Sequence, residues 1–235
     1  MRMRRQLIIA ASAAVLASPA PTRAQQVAYA ASAVSELDSA TQAAVLRELG
    51  RARSRGLPVQ PLVAKVREGQ VKRAAPERIR LAVAALATRL DSARSALGPT
   101  SSVAEIVAGA DAIAAGVGMR TLRSVRSASG ARDLSAPLGA LAQLVASGVP
   151  ARRATEMILD LLKRDAGPRE LLAFGNAVET DVGAGVPAEE SAVFRLRAIE
   201  SQGIGADRLT VTAPDAGTTS MGKPGSNTGG AKRRP

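Results

Sequence analysis

A glycine, a branched aliphatic residue and a proline recur together at Gly56-Leu57-Pro58, Gly148-Val149-Pro150 and Gly185-Val186-Pro187, with a variant at Gly116-Val117-Gly118. Glycine ends a helix readily, and proline is accommodated in the first turn of the next, where its missing N–H costs nothing. These triplets therefore cut the chain into short rods that must pack on one another. The glycines are 60, 32 and 37 residues apart. The two shorter intervals match one helix-turn-helix unit, and the longest is close to two units with one opener lost. A second opener falls inside each unit, at Ala75-Pro76-Glu77-Arg78, Ser135-Ala136-Pro137-Leu138 and Gly167-Pro168-Arg169-Glu170.

Between these breaks the apolar residues keep a helical period. Ile79, Val83, Leu86, Leu90 and Leu97 draw one stripe on a helix opened by Pro76, the longest expected. Ser39 with Gln42 and Ser102 with Glu105 have the spacing of capping boxes. The first precedes a run in which Val45, Leu46 and Leu49 are expected inward and Arg47, Arg51 and Arg55 outward. Further helices are expected after Gly56, Ser102, Gly118, Ser135, Pro150, Gly167 and Pro187, with a loop near Gly130.

Composition favours the same answer. Ala supplies 49 of the 235 residues and is the best helix former, whereas Ile, Phe, Tyr and Thr are sparse. The chain has no Cys, His or Trp, one Tyr and two Phe. That excludes disulfides, Cys/His zinc sites, thiol nucleophiles and imidazole-based triads. Nucleic acid is not expected as a partner, because three aromatic rings cannot build a base-stacking platform.

The ends have their own character. Residues 1–24 hold Arg2, Arg4 and Arg5, an apolar stretch from Leu7 to Leu16 and a small-residue site ending at Ala24, the pattern of a secretory signal peptide cleaved after Ala24. Arg4-Arg5 also allows twin-Arg export. Residues 25–35 read as a poorly ordered leader and 36–209 as the helical domain. Residues 210–235, limited to small, polar and basic types, read as a disordered tail. Of the formal charge of +12, residues 1–24 carry +4 and the tail +3, so the helical body is only mildly basic.

The segments Gly56 to Ile79 and Gly148 to Arg164 resemble stretches of uncharacterised exported α-helical proteins of bacteria, and the likeness implies an all-helical fold with no attached activity. Tetratricopeptide repeats share the unit length, but their Trp, Tyr and Phe landmarks are missing. Gly183-Ala-Gly185-Val-Pro-Ala188 matches a dinucleotide fingerprint on paper, but a helix precedes it instead of a strand. Ile199-Glu200-Ser201 resembles the Glu-Ser pair of lytic transglycosylases, without their Gly-Leu-Met-Gln stretch or sugar-stacking aromatics.

Two Arg arrays remain as candidate anion contacts: Arg47, Arg51 and Arg55 at intervals of four, and Arg120, Arg123 and Arg126 at intervals of three. The expectation is an all-α protein of stacked helix hairpins, an irregular α-solenoid or a bundle. Its expected role is an exported, non-catalytic scaffold that binds a protein or peptide, with no cofactor and no metal. Binding of anionic envelope polymers or lipid headgroups through the Arg strips is the alternative, and glycan cleavage by carboxylates such as Glu200 is a second one.

Overall fold

A computed structural model describes residues 33–130 and 132–202, and these form nine α-helices with no strand. In chain order they are α1 (Ser39–Ser54), α2 (Gln60–Val71), α3 (Pro76–Leu97), α4 (Val103–Ala114), α5 (Met119–Ser129), α6 (Ser135–Ala146), α7 (Ala151–Lys163), α8 (Pro168–Gly183) and α9 (Ala188–Gln202). No helix among the described residues is long and apolar enough to cross a membrane. The expected signal peptide, most of the leader and the basic tail lie outside the described residues. Ala33 and Val34, expected in the leader, are buried against the core.

From α3 to α8 each helix packs on the one two places along, and α1 packs on α3. α1, α3, α5 and α7 form one layer, and α4, α6 and α8 form the other, with α3 joined to α4 and α8 to α9 across the layers. Leu90, Leu122, Leu138, Leu141, Leu144 and Ile158 are sealed between the layers. This order departs from the register read from the second openers. α3 stacks on α5, not on α6, because three helices, an odd number, separate the Gly56 turn from the Gly116 turn.

The four glycine triplets are one local structure. In each, the glycine has positive φ, from 69° to 104°. The N–H of the residue after the glycine donates five residues back, as from Leu57 to the Ala52 carbonyl and from Val149 to the Leu144 carbonyl. The glycine N–H donates three residues back, and together the bonds make a Schellman cap. The motif carries its own hydrophobic contact: Leu57, Val117 and Val149 are buried. Gly118 replaces proline in the variant copy without changing the cap. Two further caps with the same bonds, after α2 and α7, place Arg73 (φ 49°) and Asp165 (φ 58°) where the others place glycine.

The capping box at Ser102 and Glu105 is present. The one expected at Ser39 and Gln42 is not: Asp38 caps α1, its carboxylate accepting from the Thr41 N–H at 3.0 Å. Asp38 is ionised more readily than an ordinary aspartate because that backbone N–H, first of all, favours the carboxylate. Leu46, expected inward, is 45% exposed.

Candidate functional site

Charge is divided between the layers. The odd-numbered helices carry fifteen Arg and Lys against eight Asp and Glu, and the even-numbered helices three against six. Two buried bridges account for much of the acidic excess. Glu105 on α4 meets Arg126 of α5 at 3.3 Å, and Asp181 on α8 meets Arg195 of α9 through two bonds of 2.6 and 2.8 Å. Setting these four residues aside leaves thirteen against eight on the odd helices and three against four on the even ones. Solvated positive charge therefore belongs to the odd layer.

Both bridges are structural. Glu105 Oε1 also accepts from the Leu134 N–H at 3.1 Å, tying the start of α6 to α4. Arg126 donates to the Leu97 carbonyl at 3.2 Å and the Ser101 hydroxyl at 3.0 Å, closing the break between α3 and α4. Asp181 accepts additionally from the Ser191 hydroxyl at 2.6 Å. The Arg195 guanidinium, ahead of burial and the Ser191 bond, holds the Asp181 carboxyl below the usual aspartate range.

On the odd layer, three hollows of about 460, 310 and 560 Å³ run end to end between α1 and α3. The first two share Glu48, Arg51 and Ala84, and the last two share Arg55 and Asp91, so they form one trough. The buried Val45, Ala52, Leu57, Val83 and Ala87 lie at its base. Arginines stand along both walls. Leu81, 70% exposed, sits at one end.

The six candidate anion contacts separate in this setting. Arg47, Arg51 and Arg55 are exposed and line the trough. Arg51 pairs with Glu48 at 3.3 Å and Arg55 with Asp91 at 3.1 Å, while Arg47 forms no ion pair among the described residues. Arg120 and Arg123 are exposed on α5, a helix without an acid. Arg126 is turned inward and engaged as described.

Sequence reasoning missed the second wall. Arg80 and Arg94 on α3 line the trough, Arg80 paired with Glu77 at 2.9 Å and Arg94 donating to the Gly56 carbonyl at 2.7 Å. The signal was present as the polar stripe Glu77, Arg80, Ala84, Thr88 and Asp91, opposite the apolar stripe of the same helix. Which two stripes face one another depends on the stacking of α1 on α3, which no local pattern specifies.

Glu200, the candidate glycan-cleaving acid, pairs with Arg164 at 3.0 Å. No group of three or more Asp or Glu side chains among the described residues could hold a metal ion. No protein-family model and no curated protein matches the chain.

Proposed function

We propose that this chain is an exported, non-catalytic helical scaffold that holds a protein or peptide partner. The observation that carries the reading is the trough between α1 and α3. It is long and open, and Arg47, Arg51 and Arg55 along one wall are exposed, so a chain can enter without unpacking the core. Export rests on the sequence of residues 1–24. Cross-linking in the cell of origin tests both parts. A photoreactive residue at Leu81 or Thr88 is expected to capture a polypeptide that the same residue at Thr180 on α8 does not. Mass spectrometry of the adduct is expected to find an N-terminus at Gln25. Capture that is absent, or equal at all three positions, overturns the scaffold reading; an adduct that retains residues 1–24 overturns export.

A further inference from the structure

Three features of the trough together specify more than a generic partner. The first is a row of guanidinium groups. Arg47 and Arg51 on α1 and Arg55 at its C-cap stand four residues apart, so their axial separation is about 6 Å per step. A fully extended polypeptide places every second side chain on the same side, at a repeat of about 6.6 Å. The two periods agree over three sites. A strand lying in the trough therefore meets an arginine with each alternate residue.

The second feature is how those arginines are occupied. Arg47 has no carboxylate among the described residues, whereas Arg51 and Arg55 hold Glu48 and Asp91 in exposed pairs. Exposed pairs contribute little, so an incoming carboxylate exchanges for the resident one at small cost. Arginine also gains geometric specificity when it meets a carboxylate with two parallel bonds. The third feature is the base of the trough, where the buried Val45, Ala52, Val83 and Ala87 present apolar surface between the charged walls.

We infer that the trough between α1 and α3 is a docking groove for an extended acidic peptide with carboxylates at alternate positions, presented by a partner protein. This rests on the scaffold reading above and names its ligand. The occupant is not this chain, since nowhere in its sequence do three acidic residues fall at alternate positions. The stretch of α3 from Glu77 to Leu97 has room for about ten extended residues.

Two synthetic nonapeptides of identical composition test it, with the full chain as receptor and fluorescence anisotropy as readout. One alternates Glu and Ala over nine residues, and the other gathers its five Glu at one end. The alternating peptide is expected to bind at least about fivefold tighter at physiological salt. The triple substitution Arg47→Ala, Arg51→Ala, Arg55→Ala is expected to abolish that preference, and Arg120→Ala with Arg123→Ala to leave it intact. All five arginines are exposed, and unchanged circular dichroism confirms that the variants are folded. Equal affinity for the two peptides overturns the inference by reducing recognition to net charge. Inorganic polyphosphate binding as tightly as the alternating peptide overturns it in favour of a non-peptide anion. No binding of either peptide at about 1 mM overturns it as well. In each of these cases the cross-linking result still decides the scaffold reading by itself.

Discussion

Asp181, Ser191 and Arg195 show how one structural position accepts two chemistries. Counting back 37 positions, the distance between Gly185 and Gly148, gives Leu144, Ala154 and Ile158. All three are fully buried in the preceding unit, where they form apolar contact instead of a bridge. Arg195→Ala leaves Asp181 as a buried charge without its partner, and the expected cost is about 3–5 kcal/mol in chemical denaturation. Asp181→Leu with Ser191→Ala and Arg195→Ile installs the sibling's apolar set and is expected to be neutral, or stabilising by about 1–4 kcal/mol. The pH dependence should differ too. The Asp181 carboxyl is depressed in the folded chain, so its contribution is present above its unfolded value, about 3.9, and is lost as pH falls through the native value. Melting temperatures measured between about pH 2 and 5 should therefore fall less steeply for the triple variant than for the wild type. The Glu68 carboxyl is also lowered, to about 2, because Lys65 and then Lys72 bond its carboxylate. It is exposed, and salt should erase most of that effect.

Among the helices and their ends, the caps were the most legible feature of the sequence, and the caps without glycine the least. Gly56, Gly148 and Gly185 announced their turns because glycine tolerates positive φ and the next residue is a branched aliphatic. Arg73 and Asp165 adopt the same backbone without the sequence signal, held there by the Ala74 and Ala166 bonds back to Gly69 and Leu161. That conformation is unfavourable for a residue with a Cβ. Arg73→Gly is accordingly expected to stabilise the chain by about 0.5–1 kcal/mol, once the greater freedom of glycine in the unfolded state is subtracted. Gly148→Ala, at φ 101°, should do the reverse by about 1–2 kcal/mol, a fall in melting temperature of roughly 2–8 °C. The Ser39 capping box failed for a related reason. Asp38, one residue earlier, offers a charged acceptor to the first turn, and a carboxylate there also meets the positive end of the helix dipole. Arg126 was unreadable as an interior residue, because its three partners come from α3, α4 and the loop between them, 21 to 29 residues away.

At the level of the whole molecule, helix i meets helix i+2 from α3 to α8, so stability there is spread over neighbouring units. Close approach between helices depends on small residues at chosen points. Gly109 on α4 is one: a Cβ there would lie 3.1 Å from both Ala93 and Leu97 of α3 and 3.3 Å from Leu122 of α5. The all-α class and most helix limits followed from periodicity and punctuation, whereas the layer to which each helix belongs did not. Three helices between the first two glycine turns reverse the phase of the array, and only contacts between distant segments reveal it. The matching turns at Gly148 and Gly185 nevertheless have a practical meaning. Their glycines have φ of 101° and 94° and identical bonding, so residues 149–185 behave as a cassette bounded by interchangeable joints. A gene that repeats this cassette in tandem should yield a longer protein that still melts cooperatively, with helical ellipticity per residue unchanged. A lengthened chain that loses ellipticity per residue would mean that the joints are not interchangeable, and that the length of this array is fixed.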